Sequence, residues 1–335
     1  MSVEVAERVL DLAASALGHR LGVDGPALLR ERAEILEIAP NGTVSAGGTC
    51  RLLPAADERW IAVNLARRSD IELLGAWMEH DWSGAPWDAV SAHLVEVDAD
   101  TAVERAQLLG IPAAVAVEAP EGTPVHVTRG APRRTGGGET VVVDLSALWA
   151  GPLCARLLGG TGARVVKVEL AGRPDGARGG DPEFWERLNG AKEQRTIGVP
   201  DVVRLLDDAD VVVTSARPRA IEQLGLDLER RAMHEGLIWV AITGYGMANE
   251  WRDRVAFGDD AAAAGGLAVA AGGSNAPVFV GDAVADPLAG LHAAGAAKEL
   301  VDRGVGGMLD VSMRDTVAAA LTSGKYAPHR TRESV

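Results

Sequence analysis

Only two of the 335 residues are cysteine, Cys50 and Cys154, and they lie far apart in the chain. That scarcity excludes a disulfide framework and a paired-cysteine metal site, and no metal is expected. Long hydrophobic runs are also missing: no stretch reaches the roughly 18 uncharged apolar residues that span a bilayer. The opening MSVEVAERVLDLAAS carries acidic residues where an export signal would carry basic ones. A soluble, cytoplasmic protein with no membrane partner is the expectation. Positive charge is in short supply as well, with 33 Lys and Arg against 47 Asp and Glu and a net charge of −14. A nucleic-acid backbone is therefore a poor partner, and any anionic ligand needs a local cluster of arginines and lysines. What is plentiful is apolar side chain, 47% of the sequence, enough for two cores.

The chain is organised around residues 141–169, VVVDLSALWAGPLCARLLGGTGARVVKVE. Two β-rich runs flank a helix of about ten residues, which predicts a βαβ unit with a right-handed crossover and a parallel sheet. Gly159, Gly160 and Gly162 follow the helix instead of preceding it. A dinucleotide phosphate needs its glycines at the helix N-terminus, so these read as a C-cap.

Upstream, Val5, Val9, Leu10, Leu12 and Leu17 stand close to helical spacing, and a second helix is expected at about 26–36. Runs at 59–65 and 113–117 read as strands, with helices between them, one of them beginning near Asp70. We expect a small α+β domain over 1–118. His80 and His93 are isolated there and mark no catalytic pattern. Residues 119–139 shift to proline, glycine and basic residues without periodicity, and read as a linker. From 140 to 325 strands at 141–145, 164–168, 195–199, 210–214, 237–243 and 307–312 alternate with helices. This rhythm predicts an α/β fold, a doubly wound, mostly parallel, Rossmann-like sheet. Residues 326–335 form a tail. Ligands belong beyond the strand C-termini, around 146–152, 169–178, 214–219 and 243–246.

An ordered set of blocks now resembles one family. It comprises DLSALWAGPLCARLLGGTGARVVKVE, GRPDGAR (172–178), LNGAK (188–192), ADVVVTSARPRAIEQLGLD (209–227), ITGYG (242–246), FGDDAAAAGGL (257–267), VADPLAGLHAA (284–294) and LDVSMRDTVAAAL (309–321). Together they are similar to the class III coenzyme A transferases, a family that includes formyl-CoA and carnitine CoA-transferases and 2-methylacyl-CoA racemases. The N-terminal half is similar to that family's small domain. In the family the small domain is inserted within the large one. Here it comes first and one linker suffices, so the resemblance implies a permuted chain, and a homodimer as partner arrangement.

Asp286 is the residue singled out. The resemblance implies that it is the nucleophile, forming an aspartyl-CoA thioester as coenzyme A passes between carboxylic acids. An aspartate before Pro287 and an apolar run is also an ordinary helix N-cap. Asp259 and Asp260 are supporting acids or helix caps. The racemases carry histidine at position 259, and a 2-methylacyl-CoA racemase or a non-catalytic CoA-binding protein are the alternative functions. Arg178, Lys192 and Arg217 are the anion-binding candidates, with Arg173 and Arg219 as further ones. The resemblance places Arg178 and the LNGAK and SARPR segments around the CoA adenine and phosphates, a chemistry that suits arginine. Ala150 and Gly151 line the groove beside Trp149. No tightly bound cofactor is expected; CoA and acyl-CoA enter as substrates.

Overall fold

The computed structural model describes residues 1–133, 138–248, 250–323 and 331–332. Helix α1 (Val3–Leu21) opens on Ser2, whose hydroxyl accepts from the Val5 N–H, and closes on Gly22 at φ 69°. Its buried stripe is Ala6, Leu10, Ala14, Leu17 and Leu21, while Val5 and Leu12 face solvent. Helix α2 (Gly25–Leu36) begins at Asp24 with Pro26 in its first turn. Gly25 permits the crossing, since a Cβ there would sit 1.9 Å from the Ala14 carbonyl oxygen.

The small unit follows as β1 (Cys50–Pro54), β2 (Trp60–Asn64), α3 (Arg68–Glu72), α4 (Leu74–Met78), α5 (Pro86–Leu94), α6 (Ala99–Leu109) and β3 (Ala113–Val115). Its three strands form an antiparallel sheet in the order β1-β2-β3. Ile61, Val63, Trp77, Leu94 and Ile111 fill its core, and the Trp77 indole N–H donates to the Ala102 carbonyl at 2.9 Å.

The large unit runs through β4 (Val125–Pro132), β5 (Val141–Asp144), α7 (Ala150–Gly160), β6 (Arg164–Leu170), α8 (Pro182–Asn189), β7 (Glu193–Ile197), α9 (Val199–Asp207) and β8 (Val211–Thr214). It continues with α10 (Pro218–Leu224), α11 (Leu228–His234), β9 (Ile238–Thr243), α12 (Gly258–Ala264), α13 (Leu267–Gly272), α14 (Ala285–Arg303), β10 (Val305–Ser312), α15 (Met313–Ser323) and β11 (Thr331–Arg332). The strand order is β11-β4-β10-β9-β8-β5-β6-β7. Strands β5 to β10 are mutually parallel and follow the doubly wound order, whose switch point lies between β5 and β8. Alternate residues serve opposite faces: Val142, Val211 and Val213 join the α1, α7 and α14 layer, while Val143, Val166 and Val212 join the α9 to α11 layer.

Two expected boundaries change. Helices α1 and α2 bury Leu10, Leu17, Leu28 and Leu29 in the core of the large unit, so the small unit is shorter than 1–118. The segment read as a linker contains β4, which pairs antiparallel with β10 in the register Leu309↔Val127. The alternation of Val125 and Val127 drives that strand into the sheet, despite the prolines and glycines around it. The expected tail at 326–335 lies outside the described residues, apart from 331–332.

The small unit seats on α12 of the same chain. Cys50, Leu52 and Ala62 pack with Ala263, Ala268 and Phe279. The Gln107 amide donates to the Val255 carbonyl at 2.9 Å and accepts from the Val255 N–H at 2.8 Å. No helix among the described residues is long and apolar enough to cross a membrane.

Candidate active site

Asp286 lies one residue inside the first turn of α14, where Val284 occupies the cap position. The helix-cap reading of Asp286 is thereby corrected: its carboxylate faces the Ala150 backbone at the start of α7, in another element, and that backbone lowers its pKa. Ala283, at φ 45°, turns the chain into the helix, and the Asp286 N–H donates to the Ala283 carbonyl at 2.9 Å. Gly258 presses on the carboxylate from α12, since a Cβ there would lie 2.3 Å from Asp286 Oδ2. Protein atoms crowd the group on almost every side, yet part of the residue stays open to solvent. Burial raises its pKa to about 7; Arg32 and the Ala150 N–H oppose the rise, and the Asp259 and Asp282 carboxylates add to it.

Three more acids surround it. Asp259, on α12, accepts from the Ala283 N–H at 3.1 Å, and the nearby Ser45 hydroxyl lowers its pKa. Burial, then Asp282, lifts its pKa to about 6. Asp260 accepts from the Phe257 N–H at 3.0 Å, the capping role expected, and from the Asn64 amide at 3.3 Å across the unit boundary. Among the described residues its Oδ2 is buried without a hydrogen-bond partner, and burial pushes its pKa up to about 8. Asp282 receives Arg32 Nη1 on both oxygens, at 2.7 and 2.8 Å. Arg32, from α2, is the cation whose charge lowers the pKa of Asp259, Asp282 and Asp286 alike.

A second buried network supports the loop that carries Ala150. Lys192 Nζ donates to Asp144 Oδ2 and to the Pro152 carbonyl at 2.8 Å, and to Asn189 Oδ1 at 2.9 Å. Lys167 Nζ donates to the Ser146 carbonyl at 2.5 Å and to Asp175 Oδ2 at 2.9 Å. Asp175 Oδ1 in turn accepts from the Leu148 N–H at 3.0 Å, and Leu148 holds φ 68°. The loop from Ser146 to Ala150 is thus fixed by alternating buried charges, each with a partner.

These contacts redistribute the expected anion ligands. All three ammonium hydrogens of Lys192 are committed inside the protein, so it serves as an internal brace and not as a phosphate ligand. Arg178 Nε donates to both Glu169 oxygens at 2.9 and 2.8 Å, its Nη2 to Gln194 at 2.8 Å, and the guanidinium stacks 4.3 Å from the Trp185 ring centroid. Arg217 is exposed at the cap position of α10, beyond the end of β8. Two residues before it, the Ser215 hydroxyl accepts from the Ala147 N–H at 2.8 Å, which ties the β8 loop to the β5 loop at the switch point. Arg173 and Arg219 are also exposed. Ala150 and Gly151 are buried, and Gly151 is needed because a Cβ would meet Ser146 Cβ and Oγ at 2.2 Å. Trp149 packs edge-on against Phe184 with centroids 5.1 Å apart, which is core packing.

The sequence reading missed Arg32, Ser45, Asn64 and Asp282. The first three come from the N-terminal third. Asp282 lies four residues before Asp286, and that spacing was the one available signal. Among the described residues, no cluster of His, Cys, Asp or Glu is arranged to hold a metal ion.

Residues 138–334 match the family model described as CoA-transferase family III. A succinyl-CoA–D-citramalate CoA-transferase from Chloroflexus aurantiacus is 32% identical over 201 residues, covering 54% of this chain and 50% of that protein. An (R)-2-hydroxy-4-methylpentanoate CoA-transferase from Clostridioides difficile is 36% identical over 134 residues, covering 35% and 33%. A crystal structure of a hypothetical protein from Mycobacterium tuberculosis aligns with a TM-score of 0.50 at 27% identity, covering 59% of this chain and 58% of that one. The chain spans about half the length of the first of these curated relatives.

Proposed function

Because the chain belongs to CoA-transferase family III, we propose that it moves coenzyme A between carboxylic acids, with Asp286 as the covalent nucleophile. The seat of Asp286 carries this reading: one carboxylate facing the Ala150 backbone and pressed by Gly258, in the first turn of a long helix. An ionised Asp286 oxygen attacks the acyl carbon of an acyl-CoA and expels the CoA thiolate, leaving a mixed anhydride. The thiolate attacks the Asp286 acyl carbon, and the first acid departs as its carboxylate. The second acid's carboxylate then runs the sequence in reverse. The Ala150 N–H stabilises the oxyanion that develops at Asp286. The positive end of α14 favours the ionised nucleophile, against its burial.

Coenzyme A enters over the switch point in this proposal, where exposed Arg217 offers a phosphate contact. A cytoplasmic homodimer, a rearranged segment order relative to the family, and acyl-CoA with a small carboxylic acid as partners belong to the same reading. The relatives' names point first to succinyl-CoA as donor. A second reading is α-proton exchange on a 2-methylacyl thioester, favoured by two neighbouring acids whose pKa values lie near neutrality, Asp286 and Asp259.

The test is incubation with acetyl-, butyryl- and succinyl-CoA, then hydroxylamine and peptide mass analysis. A hydroxamate on Asp286 is the expected result. No hydroxamate with any thioester, but deuterium gained at the α-carbon in heavy water, would replace transfer with the proton-exchange reading.

A further inference from the structure

Arg32 comes from α2, more than a hundred residues before the segment that matches the family. Its Nη1 is spent on Asp282, whose side chain is 1% exposed, so one corner of the guanidinium is anchored in the wall of the site. The guanidinium carbon lies 5.7 Å from the centroid of the Trp149 ring, next to the loop that carries Ala150. Nε and Nη2 donate no hydrogen bond among the described residues, and 28% of the side chain is open to solvent. The Nε–Nη2 edge of a guanidinium matches the two oxygens of a carboxylate.

The chemistry requires such a group. In the second half of the transfer a free acid must enter as an anion, into a site walled by Asp259, Asp282 and Asp286. Like charges at this range repel. Once Asp286 carries CoA as a thioester it is neutral, and Arg32 loses one of its anionic neighbours at the moment the acid arrives.

We propose that Arg32 receives the carboxylate of the incoming acid on its Nε–Nη2 edge, with Asp282 fixing its Nη1 corner. Arg32 is thereby the acceptor-binding residue of the site, an inference that rests on the CoA-transfer reading above. Held on that edge, the acid directs an oxygen lone pair at the acyl carbon of the Asp286 thioester. A new C–O bond forms, the C–S bond breaks and CoA leaves as thiolate. The thiolate then attacks the acid's own acyl carbon, the bond to the Asp286 oxygen breaks, and Asp286 is regenerated as carboxylate.

The experiment uses the full chain with succinyl-CoA and carbon-13 succinate as the first exchange pair, and then malate as acceptor. It is run at a pH well above 7, where Asp286 of the native protein is ionised, and a pH profile is taken for each variant because Arg32 lowers the Asp286 pKa. Arg32→Ala is expected to raise the acceptor KM about tenfold to a hundredfold, the size of one lost charge-assisted contact. The Asp286 hydroxamate formed from acyl-CoA alone shows only that the nucleophile still reacts, since the departing acid of the first half leaves from the same edge, and Arg32→Lys should restore part of the acceptor KM. If Arg32→Ala does not fold, Arg32→Gln, which keeps an amide donor for Asp282, carries the same measurement. An unchanged acceptor KM, with or without a fall in kcat, overturns the assignment. Native protein that forms no Asp286 hydroxamate from any acyl-CoA overturns the transfer reading instead.

Discussion

Gly258 and Asp286 touch so closely that a single methyl group on Gly258 would lie 2.3 Å from the Asp286 carboxylate oxygen. The same methyl would lie 2.3 Å from the Ala283 carbonyl, so there is no direction in which it is accommodated. Gly258→Ala is expected to displace Asp286 from the Ala150 N–H and to abolish its hydroxamate. It should also destabilise the protein by about 1–3 kcal/mol, the usual cost of overpacking. Thermal melting and hydroxylamine trapping on the same sample check both, and retained trapping would show that the contact is not needed.

Asp286→Asn removes the nucleophile at nearly constant size, and its second readout is stability against pH. The native carboxyl is raised from its ordinary 3.8 to about 7, chiefly by burial, so folding favours its protonated form. The stability associated with that proton is fully present below the ordinary value and is lost as pH rises through 7. The asparagine variant should therefore lose hydroxamate formation while becoming more stable than the native protein above pH 7. Chemical denaturation on both sides of that pH decides it.

Asp260 follows the same sign over a wider window, from 3.8 to about 8, chiefly because of its burial, and among the described residues its Oδ2 has no hydrogen-bond partner. Asp260→Asn keeps an acceptor for the Phe257 N–H and removes the buried charge. Above pH 8 the variant should exceed the native protein by about 1–3 kcal/mol, because it carries no buried charge there. Equal unfolding midpoints there would show that Asp260 ionises without cost.

Lys192 and Arg217 should separate cleanly. Lys192→Met strips Asp144 of a buried partner at 2.8 Å and is expected to cost about 3–5 kcal/mol of stability. Arg217→Ala, at an exposed position, should leave the melting temperature unchanged and weaken CoA binding by about 1–3 kcal/mol. Calorimetric titration with CoA, paired with thermal melts, distinguishes a brace from a ligand contact. The reverse pattern would restore Lys192 as the phosphate ligand.

The parallel sheet was legible because its strands are short valine-rich runs, at 141–145, 164–168 and 210–214, bounded by turns and separated by helices. Burial on both faces gives such runs. Strand β4 was not legible, because four alternating residues are hidden among prolines and glycines. Asp286 was legible only through the resemblance of VADPLAG and its neighbours. Its surroundings were not, since the Arg32–Asp282 pair joins positions 250 apart and the Asn64–Asp260 pair joins positions 196 apart. Such contacts exist only once the sheet and both helix layers have assembled, and no local periodicity encodes them. Lys192 misled for the opposite reason: a lysine in a family block reads as a ligand until its three acceptors are seen.

The return of the chain through β4 alters the mechanics of the small unit. Helices α1 and α2 fasten the chain to the large unit before the excursion, and β4 fastens it again afterwards. The excursion therefore hangs from two tethers, and the single crossing expected from the sequence does not hold. With both moorings and its seat on α12, the unit is held to the large unit at three places. Cutting either mooring would leave it attached by the other, with Ser45 and Asn64 still on the strap that reaches the acids.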